Sequence, residues 1–188
     1  MIVRRGNTGD MEGVLALQQA NLWRNLTAEE QLGGFVTTPF TTTQLEAIIA
    51  QGGLFVIVAD QQIVAYAFAG NWAYFQQWQI FEVMVKRLPQ LSFQGQPVTV
   101  SNSFQYGPVC IARAYRGQGL LPLIFESLRL EWQQQYPLAL TFINVVNVVS
   151  TQAHVRKLGW EVIDHFDFNG NNYLGLAYDM ARPVPQVG

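Results

Sequence analysis

The chain has 188 residues, of which 49% are apolar and only 13% charged, with a formal net charge of −2. A single unit of this size buries roughly 70% of its extended surface, enough for one sizeable core. Lysine occurs only at Lys86 and Lys157, so no basic stripe exists to displace phosphate counterions, and a nucleic-acid partner is disfavoured.

Met1-Ile-Val-Arg-Arg5 is too short and too charged for a signal peptide, and no apolar run approaches the ~20 residues that span a bilayer. A soluble, cytoplasmic protein without a membrane partner is expected. Ile2 to Asp10, followed by apolar residues at Met11, Val14, Leu15 and Leu17 to Leu22, looks like a first strand and first helix. Gly53 to Gly70 holds two alternating apolar runs around Asp60-Gln61-Gln62, a hairpin signal. Trp72, Tyr74, Phe75, Trp78, Phe81, Val85 and Leu88 recur at spacings near three and four, which predicts one helix with a wide aromatic face ending before Pro89.

A β-branched strand through Val109-Cys110-Ile111 runs into a glycine-bearing turn and then into a helix carrying Leu120, Leu123, Ile124, Leu128 and Leu130 to Trp132. Such a unit seats a phosphate-bearing ligand. Gly117 and Gly119 remove side chains where a diphosphate would approach, and the first N–H groups of the helix have no helical partner. The helix dipole adds positive potential at the same place. Pro122 is tolerated in the first turn but removes a donor. Cys110, the only cysteine, reads as a buried inert thiol, which leaves no disulfide framework or thiolate metal site. Leu138 to Val146 is an apolar strand, Ser150 to Leu158 a short helix, and Trp160–Phe168 with Tyr173–Met180 a hairpin turned at Asn169-Gly170. Residues 1–181 are read as one domain and Arg182 to Gly188 as a loose tail. Mixed strands with helices on both faces define an α/β architecture.

Arg116-x-x-Gly119 after Tyr115, followed by Asn144-Val-Val-Asn-Val-Val-Ser150 and Arg156-Lys-Leu-Gly-Trp160, resembles the GNAT superfamily of acetyl-CoA-dependent N-acetyltransferases, and the resemblance runs nearly end to end. It implies a central mixed, mostly antiparallel sheet, here with an inserted aromatic helix. It also implies acetyl-CoA as co-substrate and direct acetyl transfer to a primary amine of a small molecule or peptide in a ternary complex. The cofactor-binding positions it carries over are Val109, Ile111 and Ala112 through their backbones, Arg116, Gly117, Gln118, Gly119, Leu120 and Leu121 at the turn, and Asn147 with Ser150 against pantetheine. Leu121 stands where the family has a small residue and crowds the approach. Gly107-Pro108 supplies the break in pairing that the family's splayed fourth and fifth strands need, and an N–H near Val109 to Ile111 is the expected oxyanion donor.

Exposing the lone pair of an aliphatic amine of pKa ~10 costs about 4 kcal/mol at neutral pH unless a base takes the proton. The family's glutamate on the fourth strand is replaced by Gln105, which leaves a water-mediated route or Glu82 from the inserted helix. The family's acidic tyrosine falls on Val155 when counted back from Gly159. Counted forward from Asn147 it falls on His154, because the segment carries one extra residue, and His154 is the catalytic candidate. Asn147 and Ser150 have an alternative role as helix caps. No metal site is expected: His165, beside Asp164 and near Asp167, lacks a recognisable ligand set. The aromatic helix has three readings, as a wall of the acceptor pocket, a homodimer surface, or simple packing on the sheet. The missing acid and base keep open a module that binds CoA or another ligand without turnover. A dinucleotide oxidoreductase fits less well, because Gly117-x-Gly119 lacks the third glycine.

Overall fold

The computed structural model describes residues 1–185. Seven strands form one sheet: β1 (Ile2–Arg5), β2 (Leu54–Ala59), β3 (Gln62–Gly70), β4 (Ser103–Ile111), β5 (Leu138–Asn144), β6 (Glu161–Phe168) and β7 (Asn171–Asp179), in the order β1-β2-β3-β4-β5-β7-β6. All neighbours are antiparallel except β4 and β5, which is the mixed sheet expected. Both hairpins turn where the sequence places them. Asp60, Gln61, Asn169 and Gly170 all have positive φ (48°, 64°, 48° and 74°), the conformation whose twist matches the flanking strands.

α-Helices of five or more residues cover the two faces: α1 (Met11–Asn21), α2 (Thr42–Ala50), α3 (Gln79–Arg87), α4 (Leu120–Trp132) and α5 (Val148–Gln152). The alternation along β2 explains why both faces must be covered. Leu54 and Val56 join a core with α1, α2 and α3, whereas Phe55 and Ile57 join a core with α4. On β3, Tyr66 and Phe68 fill the first core while Ala65, Ala67 and Ala69 leave room for α4 to cross β1, β2 and β3. Helix α4 repays this with Leu120, Leu121, Ile124, Phe125, Leu128 and Trp132 buried along one stripe.

Three expectations are corrected. The aromatic segment is two pieces: a turn at Trp72–Phe75, capped by Asn71, and α3, separated by Trp78 in extended conformation (φ −110°, ψ 132°). The Asn71 side chain accepts from Tyr74 N–H at 2.9 Å and starts the first piece independently of the second. Its aromatic face packs on the sheet, with Phe40, Phe75, Trp78 and Phe81 in mutual contact. Helix α2 has no counterpart in the sequence reading, although Thr41 and Gln44 form a reciprocal capping box at its start. The start of the expected loose tail is held in place: Arg182 donates to Gly159 O and lies over the Tyr178 ring at 4.7 Å, and Val184 N–H donates to Glu126 Oε2 at 3.1 Å. Residues 186–188 of that tail lie outside the described residues. Among the described residues no helix is long and apolar enough to cross a membrane.

Gly53 joins α2 to β2 and is the tightest approach in the sheet. A Cβ there would stand 1.8 Å from the Ala69 carbonyl oxygen, backbone that cannot swing away. Gly53→Ala is expected to cost about 3 kcal/mol, which lowers the melting temperature by roughly 6–10 °C for a chain of this size. An unchanged thermal melt would contradict the packing described.

Candidate functional site

β4 and β5 pair only over Ser103–Gln105 against Leu138–Leu140. Beyond Gln105 they part: β4 stays on β3 as far as Ile111, and β5 stays on β7 as far as Asn144. Gly107, at φ +97°, and Pro108, which has no N–H, stand at the parting, opposite a register shift between Ala67 and Ala69 of β3. Ala112 N–H donates to Val64 O at 2.8 Å. The alternation of an antiparallel ladder therefore turns the N–H and C=O groups of Val109 and Ile111 away from β3, into the gap.

A cleft of about 490 Å³ opens along this edge. Of the expected cofactor positions, Val109, Ile111, Arg116, Gly117, Gly119, Leu120, Leu121, Asn147 and Ser150 line it, together with His154. Ala112 and Gln118 do not line it. The N–H of Ala112 is committed to the sheet, and the Gln118 amide folds back to donate to Ala114 O at 2.9 Å. Among the described residues no acceptor meets the backbone N–H of Gly117, Gln118, Gly119, Leu120 or Leu121. Gly117 and Gly119 hold φ of +76° and +77°, with open space where a Cβ would lie. The four of these donors that line the cleft, at Gly117, Gly119, Leu120 and Leu121, sit at a helix N-terminus and form a cradle for an anion.

Arg116 behaves differently from expectation. Its guanidinium donates to Ile111 O (3.0 Å), Gly33 O (2.6 Å) and Asn21 Oδ1 (2.7 Å), so the side chain is spent on protein groups. Burial pulls its pKa below the usual arginine value. Arg116 thus fastens the turn to α1 and to the loop at Gly33, and positions the cradle without reaching for phosphate. Arg156 and Lys157 also line this cleft; both are exposed and, among the described residues, in no ion pair. The sequence carried this signal in the Arg156-Lys157 pair, which the motif reading used only as a landmark.

Asn147 caps α5. Its Oδ1 accepts from Ser150 N–H at 3.4 Å and its Nδ2 donates to Phe35 O at 3.2 Å, so both ends of the amide are engaged. The chain then widens into a π-helical turn over Ala153–Leu158. This turn absorbs the extra residue noted in the sequence and brings His154 to the inner wall while Val155 points elsewhere. The Nδ1–H of His154 donates to Ser150 O at 2.8 Å, which leaves Nε2 as a bare lone pair, buried and without a partner among the described residues. Burial pulls its pKa down to about 4. Burial thus favours the neutral ring at neutral pH, with Nε2 as an acceptor. Cys110 also lines the cleft, and burial pushes its thiol up to about 12, far from a working nucleophile.

A second, smaller cavity of about 80 Å³ abuts the cleft, sharing Phe35, Val36, Val109, Asn147, Ser150 and His154 as its wall. It lies between the parted strands and is closed by Phe81 of α3, so the inserted segment does wall this space. Glu82, a candidate base in the sequence, is exposed and lines neither cavity.

Two outcomes test this geometry. Arg116→Ala removes three hydrogen bonds from a charged donor, at about 2–3 kcal/mol, and should lower the melting temperature by roughly 5–10 °C with no ligand present. Arg116→Lys should not restore it, since an ammonium cannot fork to three acceptors. For His154, the unfolded ring protonates near 6.5 while the folded ring resists until about 4, so folding stability falls as the pH drops through that window. Urea unfolding should show about 2 kcal/mol of loss between pH 7 and pH 5 that His154→Phe removes; equal losses in both proteins would refute the neutral buried ring.

No family model matches this sequence, and no curated protein matches it in sequence. Solved structures match it over nearly its whole length. The structure of yncA from Salmonella typhimurium with its cofactor acetyl-CoA has a TM-score of 0.64 at 16% identity, covering 100% of this chain and 98% of that one. A GNAT-family acetyltransferase of Streptococcus agalactiae has a TM-score of 0.65 at 16% identity, covering 95% and 94%. The polyamine N-acetyltransferase of Drosophila melanogaster has a TM-score of 0.63 at 15% identity, covering 95% and 99%. The parted strands, the glycine cradle and the order of the sheet thus belong to one architecture: this chain has the fold of the GNAT acetyltransferases.

Proposed function

We propose that the protein is an N-acetyltransferase that uses acetyl-CoA and transfers its acetyl group directly to an amine. The observation that carries this reading is the coincidence of four free N–H donors, at Gly117, Gly119, Leu120 and Leu121, with a strand edge turned away from β3 at Val109 and at the Ile111 N–H, along one cleft. The donors fit a diphosphate, and the strand edge fits the amide groups of a pantetheine arm. Arg156 and Lys157 at the mouth fit a further phosphate. Bound there, acetyl-CoA supplies an activated thioester. The amine nitrogen forms the new C–N bond as the C–S bond breaks, and the surplus proton passes from nitrogen to the sulfur, giving amide and thiol. Val109 N–H, facing the gap, is the donor placed for the carbonyl oxygen as it gains charge.

A second reading, a ligand-binding module without turnover, is favoured by the lack of any carboxylate among the residues lining either cavity. Both readings require the cofactor site. Calorimetric titration with acetyl-CoA should give micromolar binding, and Gly119→Glu, which sets a carboxylate beside the free N–H groups, should weaken it at least about tenfold, or 1.4 kcal/mol. Replacing Arg156 and Lys157 together by Ala should weaken it several-fold and flatten its salt dependence. Absence of binding by the native protein would overturn the proposal, and turnover in the presence of amines separates the two readings.

A further inference from the structure

The smaller cavity between the parted strands has an unusual charge inventory for a site that receives amines. No Asp, Glu, Lys or Arg lines it. Its β4 wall offers Gln105 and Val109, its β5 wall Thr141 and Asn144, its loop wall Thr37 and Thr38, and α3 gives it Phe81. Its titratable groups are Tyr106, whose hydroxyl burial pushes above its usual range, and His154, whose ring burial keeps neutral. The nearest acidic residue on α3, Glu82, is exposed to solvent and outside the cavity.

This wall offers a cation no opposite charge. An alkylammonium entering it loses its water and finds no carboxylate, and a second cation on the same molecule fares worse. The one basic nitrogen on the wall, His154 Nε2, is a far weaker base than an alkylamine, and only about one alkylamine in a thousand is neutral at pH 7. An aromatic amine avoids both difficulties, because its lone pair is delocalised into the ring and it stays unprotonated at neutral pH. The cavity is furnished for such a molecule. Phe81 and Phe142 meet edge to face at 5.2 Å on its wall, ready to flank a ring. Gln105 is 2% exposed, and its Oε1 is buried without a partner among the described residues. Its Nε2 is held by Tyr106 O at 2.6 Å, which fixes the amide and leaves the oxygen to accept an amine N–H.

On the acetyltransferase reading, we infer that the acceptor is a small, uncharged, weakly basic amine of the aromatic class, received between β4 and β5 with Gln105 Oε1 accepting from its nitrogen.

The test is thiol release at saturating acetyl-CoA, whose binding is first established by calorimetry, with three probes: a substituted aniline, spermidine, and an alanyl peptide. The aniline should be turned over with a rate flat from pH 6 to pH 8, and the two alkylamines at least about a hundredfold more slowly. Thr37→Asp, at the exposed mouth of the cavity, should raise the ratio of kcat/KM for spermidine over aniline several-fold. Faster turnover of spermidine or the peptide than of the aniline overturns the inference, as does binding of acetyl-CoA with no turnover of aniline. Failure of acetyl-CoA to bind instead overturns the acetyltransferase reading on which the inference rests.

Discussion

The structure depends on one interruption of backbone pairing. β4 and β5 share three registered positions and then separate, although each continues on its other neighbour. A strand edge inside a protein carries N–H and C=O groups that need partners. Here Arg116 takes the Ile111 carbonyl, the edge at Val109 is left to whatever fills the gap, and Val109 lines both cavities. Had β5 stayed on β4 for three more residues, the gap between the strands would be closed.

The gap is held by groups that fasten its rims to separate parts of the fold. Arg116 ties the glycine turn to α1 and to Gly33, and Asn147 ties the start of α5 to Phe35 in the same loop. On the far side, Arg87 at the end of α3 forms a bidentate pair with Asp164 of β6, at 2.6 and 2.5 Å, and fixes the helix that carries Phe81. None of these polar groups faces a ligand with its own charge. Their work is to keep the rims apart, and the ligand contacts fall to backbone donors and to neutral side chains.

Charge is distributed accordingly. The exposed cations Arg156 and Lys157 line the large cleft. The inner cavity is neutral, and the one imidazole on its wall is kept neutral by burial. The π-helical turn is responsible for that placement, since the extra residue rotates His154 inward, with its ring 5.7 Å from that of Tyr106.

Much of this was legible along the chain because it is local. The two hairpin turns, the alternation in β2 and β3, the glycine-bearing turn before α4 and the single-residue insertion after Asn147 are each set by neighbours within a few positions, so sequence alone determined the sheet's elements, the cradle and the fold class. Tertiary structure decided what the side chains at those positions do. Arg116 reads as a phosphate ligand until Gly33 and Asn21, 83 and 95 residues away, are found to occupy it. The folded environment of His154 favours its neutral ring, and α3 turns Glu82 outward to solvent. Desolvation and hydrogen bonding between distant segments set protonation and availability, and those quantities exist only once the chain has folded.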